Sequence, residues 1–302
     1  MTSEVTAGVR EGAYRPGMSA SAVGPQLRRW RERRRLSQLE LASRADVSTR
    51  HVSFVETGRS RPTPAMILRL AEHLDVPLRD RNALLVSGGF APAYPEQPLT
   101  APSMAVVNDA VNAVLEAHQP FPALLVDRQW NLVAANAAIY RLVSGASPAL
   151  LEPPVNVIRL TLHPDGLAPR IVNLAEWRAH LLDRLGREYA SSADEELAAL
   201  REEVAAYPVG AREPAEAGGG LVVPLRLRVG DDVLSLVSMT TVFGTPHEVT
   251  VSEIAIETFY PADAATARLL RRSAMDTPET VNGVPGGVPR YPGADDRPSV
   301  EG

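Results

Sequence analysis

The side chains best suited to directed polar contacts stand close together near the N-terminus. Arg50 follows Ser48 and Thr49, and Ser53 lies three residues further on. A guanidinium presents a rigid fork of N–H donors, which fits a phosphate or the O6 and N7 edge of guanine. Hydroxyl groups donate to and accept from the same partners. The spacing therefore indicates recognition of an anionic, acceptor-rich partner.

The charge distribution along the chain supports this interpretation. Residues 22–81 contain 13 Arg against 7 Asp and Glu, a local balance of +6. The whole chain carries −5, which leaves −11 for the remainder. A basic part joined to an acidic part is typical of a nucleic-acid-binding region attached to a region with a different task.

Several other classes of chemistry lack support in the sequence. The chain has no Cys, which excludes disulfides, thiolate metal sites and Cys nucleophiles. His163 and His247 follow no recognised metal-ligand spacing, so no metal is expected. There is no G-x-S-x-G elbow, P-loop or G-x-G-x-x-G, and the glycines at 218–220 precede a predicted strand rather than a helix. We therefore predict no catalytic residues, no cofactor and no enzymatic activity.

The chain also lacks membrane and secretion signals. No window approaches 18 consecutive apolar residues, and residues 1–21 have neither an apolar core nor a cleavage pattern. We expect a soluble cytoplasmic protein without membrane partners. A length of 302 residues suggests about two domains.

Five helices are predicted around the polar cluster. The first covers 25–35, with Pro25 at its first position. The second opens on Ser37 with Glu40 three residues later, a capping box. The third is capped by Ser48 and ends before a glycine at 58, the fourth begins at 63–64 with Thr-Pro, and the fifth covers 78–86.

This region resembles the Xre/Cro/C1 family of helix-turn-helix regulators over about 60 residues. The resemblance is carried by Leu-Ser-Gln-Leu-Glu-Leu-Ala at 36–42, by the run at 47–58 that ends Val-Glu-Thr-Gly, and by Arg-Pro-Thr-Pro at 61–64. It implies an all-α domain whose third helix enters the major groove of operator DNA. It also implies a homodimer, because paired units read two half-sites.

Roles within the motif follow from its helical period. Val52 and Val55 face the core, so Thr49, Arg50 and Ser53 face outward, with Arg50 the best candidate for a bidentate contact to guanine. The predicted DNA-binding residues are Gln38, Ser48, Thr49, Arg50, Ser53, Phe54, Arg59 and Arg61.

Some of these roles have alternatives. Gln38, Arg59 and Arg61 are expected to bind phosphates. Phe54 either touches a thymine methyl or packs against the second helix or a neighbouring loop. The arginines 28, 31 and 34 of the first helix either contact DNA or form a solvated face. Glu56 is expected to be a structural partner of an arginine or a backbone amide.

A second domain is predicted after a proline-rich linker. We divide the chain into a flexible N-terminus (1–21), the helix-turn-helix domain (22–90), the linker (91–102), the second domain (103–272) and a disordered tail (273–302). In the second domain we predict helices at 103–118, 136–143, 174–190, 194–207 and 262–272. Strands are predicted at 123–127, 130–134, 221–229, 233–242 and 248–259, with Asn136 as a helix cap. The fold class is thus α+β with an antiparallel sheet.

The second domain resembles the MmyB-like ligand-binding domain. The resemblance is carried by the runs at 122–130, 133–136, 155–160 and 173–177. It implies a PAS-like sheet crossed by helices and an apolar ligand such as a fatty acid.

The apolar pocket is predicted between the sheet and the helices at 174–190 and 194–207. Its predicted lining is Leu125, Trp130, Tyr140, Leu160, Trp177, Leu181, Met239 and Phe243. Side chains of these types belong to a filled core more often than to a ligand contact, by about three to one. Arg159, His163 and Arg170 either bind a ligand carboxylate or have surface roles. The alternative for the whole domain is a ligand-free dimerisation or protein-interaction module.

Overall fold

A computed structural model describes residues 23–208 and 222–275. They form two compact units that divide between Ala93 and Tyr94. The predicted flexible N-terminus and the glycines at 218–220 lie outside the described residues, as does the predicted tail beyond residue 275. Within the described residues, no helix has both the length and the apolar character needed to cross a bilayer.

The first unit is helical, as predicted. Its helices are α1 (Val23–Arg33), α2 (Gln38–Arg44), α3 (Thr49–Glu56), α4 (Pro64–His73) and α5 (Leu78–Ser87). Apolar side chains of these helices meet in one core, in which the largest fully buried members are Leu27, Leu41, Ile67, Leu70, Leu74, Leu84 and Leu85.

The helix starts in this unit follow the local capping signals. Ser37 accepts from the backbone N–H of Glu40, and Glu40 accepts from the backbone N–H of Ser37, which completes the predicted capping box. Ser48 accepts from the N–H of His51, and Thr63 accepts from that of Met66. The predicted caps of α2, α3 and α4 are therefore confirmed.

The start of α1 differs from the prediction by two residues. The helix begins at Val23 rather than Pro25, and Gly24 lies inside it. A Cβ built on Gly24 would lie 2.3 Å from the carbonyl oxygen of Val55, so this glycine allows α1 to approach the backbone of α3 closely.

The second unit contains an antiparallel five-stranded sheet within its described residues. The strands are β1 (Ala123–Val126), β2 (Leu132–Ala135), β3 (Leu225–Val229), β4 (Asp232–Val242) and β5 (Ala255–Pro261). Their order in the sheet is β2-β1-β5-β4-β3. The helices are α6 (Ala105–Ala117), α7 (Ala137–Val143), α8 (Val157–Leu162), α9 (Leu174–Ser192), α10 (Glu195–Ala205), α11 (Val249–Ser252) and α12 (Ala264–Met275). The predicted all-α and α+β fold classes are confirmed.

The two faces of the sheet carry different cores. On the inner face, Leu124, Leu227 and Leu236 pack with apolar side chains of α9 and α10. On the outer face, Leu125 and Ile256 pack with α6 through Val111 and Leu115. Because neighbouring residues of a strand point to opposite faces, Leu124 and Leu125 belong to different cores.

Three segments differ from the predicted secondary structure. The predicted strand at 248–259 is a short helix, α11, followed by β5, because Glu248 caps the helix by accepting from the N–H of Val251. Helix α8 was not predicted, and Asn156 caps it by accepting from the N–H of Arg159. Asn136 stands at the N-cap position of α7 without capping it, since its side chain bonds the backbone of Leu115, Phe121 and Ala123 instead.

The predicted linker is packed rather than extended into solvent. The carbonyl of Pro95 accepts from the N–H of Val249, and the N–H of Gln97 donates to Glu248. Leu99 is buried in the outer-face core. Residues 94–102 therefore belong to the second unit.

Candidate DNA-binding surface and ligand cavity

Helix α3 presents its polar residues on one side. Val52 and Val55 are buried at 1% exposure, which fixes the inner face of the helix. Arg50 is exposed, and Thr49 and Ser53 are half-buried. The outer face at the start of α3 thus carries one guanidinium and two hydroxyls.

Two arginines flank the ring of Phe54. The Cζ atom of Arg50 lies 5.1 Å from the ring centroid, and that of Arg59 lies 6.0 Å from it. Contacts of this kind are attractive because the ring face is electronegative. The ring therefore packs against the loop after α3, one of the two predicted alternatives, while the thymine-methyl contact stays a prediction.

Glu56 is the structural partner that the sequence predicted. The Nε and Nη2 atoms of Arg31 donate to its two carboxylate oxygens at 2.6 and 2.9 Å. Gln38 donates from Nε2 to Oε2 at 2.8 Å. Glu56 and Arg31 are 5% and 9% exposed. We call the group of Glu56, Arg31 and Gln38 the fork; it joins α1, α2 and the end of α3, and its ion pair is buried.

This arrangement revises two expectations from the sequence. Arg31 neither faces solvent nor is exposed for a DNA contact, because its guanidinium is buried against Glu56. The half-buried Gln38 donates one amide hydrogen to Glu56, so its predicted phosphate contact would use the second.

The other two arginines considered for DNA contact, Arg28 on α1 and Arg34 just after it, also bind the protein itself. Arg34 donates to the carbonyls of Leu74 and Asp75, and its Cζ lies 5.3 Å from the ring of Trp30. Arg28 forms an exposed pair with Glu32 at 2.7 Å. The exposed arginines around α3 that remain for an anionic partner include Arg44, Arg50, Arg59 and Arg61.

The second unit encloses an apolar cavity of about 200 Å³ on the inner face of the sheet. The strands contribute Leu124, Leu132, Leu225, Leu227, Leu236 and Phe259. The roof and sides come from α7, α8 and the segments beside them, through Ile139, Tyr140, Val143, Leu151, Val155, Val157, Leu160 and Thr161. The cavity therefore lies under α7 and α8 rather than under α9 and α10, where the sequence placed it.

Two of the eight predicted lining residues, Tyr140 and Leu160, face this cavity. Trp177 and Leu181 of α9 are buried in the filled part of the inner core. Leu125 and Phe243 belong to the outer-face core. Met239 is 57% exposed.

Trp130, another predicted lining residue, is engaged in a polar cluster instead of lining the cavity. Its indole N–H donates to Glu188 at 2.7 Å, and the Cζ atom of Arg184 lies 4.3 Å from the ring. Arg184 also donates to Glu257, which is 2% exposed. Burial lowers the pKa of Arg184, but the hydrogen bonds and charges of Glu257 and Glu188 outweigh it and raise the pKa overall.

Three of the cavity liners that the sequence did not identify, Leu225, Leu227 and Leu236, come from β3 and β4. Leu225 and Leu227 alternate with Arg226 and Arg228, so alternation could have found them. The run at 123–126 is buried on both faces, and no alternation distinguishes Leu124 from Leu125 there.

Of the three residues proposed to bind a carboxylate, Arg170 stands at the edge of the cavity. It donates to the carbonyls of Leu142 and Ser144, both of which line the cavity, and to that of Arg228. Partial burial lowers its pKa. Arg159 is instead paired with Glu203 at 2.7 Å.

His163 has a structural environment of its own. Its ring lies edge-on to Tyr207, 5.0 Å between centroids. Its Nδ1 accepts from the N–H of Asp165. Tyr207 in turn donates to Glu203, the partner of Arg159, so His163 belongs to this group of side chains.

Both units match known protein families. The MmyB-like transcription regulator ligand binding domain matches residues 107–272, more than half of the chain. The chain belongs to the MmyB-like transcription regulators. A helix-turn-helix family model matches residues 27–80. These matches confirm the two resemblances seen in the sequence, while the PAS-like description stays a prediction.

A curated relative is similar to part of this MmyB-like regulator. The uncharacterized HTH-type transcriptional regulator RghRB of Bacillus subtilis (strain 168) is 37% identical over 78 residues. The match covers 26% of this chain and 54% of the relative. The chain thus spans about half the length of that relative.

Proposed function

We propose that this regulator binds operator DNA sequence-specifically as a cytoplasmic homodimer, and that a small fatty-acid-like molecule in the second unit alters this binding. The observation that carries the DNA-binding part is the outer face of α3, where Arg50 stands exposed between two hydroxyls. The observation that carries the ligand part is the apolar cavity under α7 and α8.

The DNA-binding part rests on how α3 holds Arg50. The fork of Glu56, Arg31 and Gln38 fixes α3 against α1 and α2, and Phe54 supports the Arg50 side chain. A base contact requires such a fixed donor, whereas a phosphate contact mainly requires a positive charge near the backbone. Arg59 and Arg61, after α3, fit the second role.

The test compares Arg50→Ala with Arg59→Ala on a selected operator and on random DNA. Arg50→Ala should cost about 1–3 kcal/mol on the operator and relax the preference at one base pair. Arg59→Ala should weaken binding to both DNAs similarly. It should also reduce the magnitude of the slope of log binding constant against log salt concentration by roughly one. Equal losses on both DNAs for Arg50→Ala would contradict the base contact.

The ligand part rests on a preformed apolar space with a cation at its edge. The cavity is lined largely by Leu, Val and Ile, which suits an aliphatic chain. The hydrogen bonds of Arg170 within the described residues go to carbonyl oxygens, so its charge remains to attract an anionic head group. At about 200 Å³ the space is smaller than the ~300–1,000 Å³ of drug-sized sites. We therefore expect the shorter fatty acids to bind more tightly.

Calorimetry on the whole protein with saturated fatty acids from octanoate to stearate tests this part. Arg170→Gln should weaken binding of the acids and leave binding of the matching alcohols unchanged. If the ligand alters operator affinity, saturating operator must change ligand affinity by the same factor. The absence of heat with every chain would favour the alternative, a ligand-free dimerisation or interaction module. An enzymatic role is the distant third possibility.

A further inference from the structure

A strip of exposed apolar side chains lies on the outer side of the second unit. On α6 it includes Val106, which is 79% exposed, and Val114, which is 40% exposed. On the sheet it includes Met239 at 57% and Tyr260 at 41%. The ring of His118, at the end of α6, contacts Tyr260 and so joins the two parts of the strip.

The sheet geometry places these side chains on the same face. Met239 lies three residues after Leu236 on β4, and side chains an odd number of residues apart on a strand point to opposite faces. Because Leu236 is buried on the inner face, Met239 points to the outer face. Tyr260 pairs with Val237, which shares the face of Met239. Helix α6 lies on this face over β1, and the exposed outer side chains of β4 lie beside it, beyond β5.

Opposite charges stand on the two flanks of the apolar strip. Asp109 and Glu116 are exposed on α6. Arg226 and Arg228 are exposed on β3 and alternate with the buried Leu225 and Leu227, so they point to the outer face. Because β5 and β4 lie between β1 and β3, the strip separates an acidic flank from a basic one.

We infer that the apolar strip is the surface through which two copies of this chain associate. Consider two copies stacked strip to strip and related by a two-fold axis parallel to α6. This rotation places each flank of one copy opposite the other flank of its partner. The acidic flank of each copy then meets the basic flank of its partner, and both charge contacts form at once. Exposed apolar surface at the centre with charges at the rim is the usual composition of such an interface. The inference rests on the homodimer of the proposed function and assigns its surface.

Sedimentation equilibrium of the full chain tests the apolar part of the strip. Met239→Glu should weaken dimerisation roughly tenfold or more, since it places a charge at the centre of the interface. Val242→Glu is the matched control, because Val242 lies on the same strand, is 63% exposed and points to the opposite face. Its dimerisation should equal that of the unmodified chain. A dimer that Met239→Glu does not weaken would overturn the assignment of the surface.

Charge exchange tests the flanks independently of folding. The variant with Arg226→Glu and Arg228→Glu and the variant with Asp109→Arg and Glu116→Arg should each be monomeric, because like charges then face each other. Their mixture should form a heterodimer, since both contacts become complementary again. A mixture that stays monomeric, or single variants that still dimerise, would contradict the proposed orientation.

Binding to a single operator half-site separates this inference from the proposed function. A monomeric Met239→Glu variant should keep the half-site affinity of the unmodified chain and lose affinity for the complete operator. If the unmodified chain is monomeric at every concentration, the interface is overturned, and half-site binding then decides the DNA-binding proposal separately.

Discussion

At the scale of single residues, Glu56 determines how α3 is held against α1 and α2. Its carboxylate is shared by Arg31 and Gln38, residues from α1 and α2, in a site with little access to water. A buried charge that loses its partner keeps its desolvation cost, so such a pair is costly to break from either side.

We therefore predict that Glu56→Gln destabilises the first unit by about 3–5 kcal/mol. The matched control is Glu32→Gln, which removes the partner of Arg28 in a pair that is more than half exposed on both sides. It should cost no more than about 1 kcal/mol. Denaturant unfolding followed by far-ultraviolet circular dichroism measures both, and equal losses would mean that burial of the fork does not matter.

At the scale of elements, the close packing of α1 against α3 depends on the absence of a side chain at Gly24. Alanine normally favours a helix over glycine by about 1 kcal/mol. Here its Cβ would lie 2.3 Å from the carbonyl oxygen of Val55 and 2.9 Å from that of Glu56. Neither backbone atom can move without shifting the helix, so the clash should exceed the gain in propensity.

Gly24→Ala should consequently destabilise the protein by about 1–3 kcal/mol, the usual cost of overpacking. Because α3 carries Arg50, the same variant should also weaken specific DNA binding more than non-specific binding. Gly244→Ala is the control, since a Cβ there meets nothing within 4 Å. Thermal melting of both variants tests the prediction, and a stabilised Gly24→Ala would contradict the close approach.

A pair of charged residues joins α8, a wall of the cavity, to α10. Hydrogen bonds from Arg159 are the main reason that the pKa of Glu203 falls from the ordinary value of 4.5 to about 2, and the Tyr207 hydroxyl contributes further. Burial beside Glu203 raises the pKa of Tyr207 to about 12. Because the folded pKa of Glu203 lies below the unfolded one, its contribution to stability is complete above pH 4.5 and disappears as the pH falls towards 2.

We expect Glu203→Gln to melt at a lower temperature than the unmodified chain at pH 7 and at the same temperature near pH 2. Both partners are more than a third exposed, so the difference at neutral pH should be only about 1 kcal/mol. Glu202→Gln, at the exposed neighbouring position, should show no such dependence. A difference that grows as the pH falls would contradict the assignment.

At the scale of the whole molecule, the cavity is the feature through which a small ligand can stabilise the fold. A ligand at a hundredfold excess over its Kd would add about 2.7 kcal/mol to stability. Val157 lines the cavity from α8, and a larger side chain there would occupy space that the ligand needs.

Val157→Phe should therefore abolish the thermal shift produced by fatty acids while leaving operator binding without ligand intact. Val229→Phe makes the same substitution at an exposed position at the end of β3 and should keep the full shift. A differential scanning fluorimetry series with decanoate measures both variants. An undiminished shift in Val157→Phe would place the ligand elsewhere.

The sequence alone determined the helix-turn-helix and its outward residues. Its signals are local: Ser37 with Glu40, Ser48, and Thr63 with Pro64 each fix a helix start through contacts within a few residues. Once a helix start is fixed, the period of 3.6 residues decides which side chains face the core. Alternation along β3 and β4 likewise determined that the second unit contains a sheet.

Only the tertiary structure decided what those elements enclose. Glu56 and Arg31 are 25 residues apart, and their pairing depends on how α1 crosses α3. Leu124 and Leu125 are chemically identical, yet one lines the cavity and the other packs under α6. Met239 has an apolar side chain typical of a core residue, yet it is 57% exposed. Burial and empty space depend on which elements meet, and side-chain type alone does not specify this.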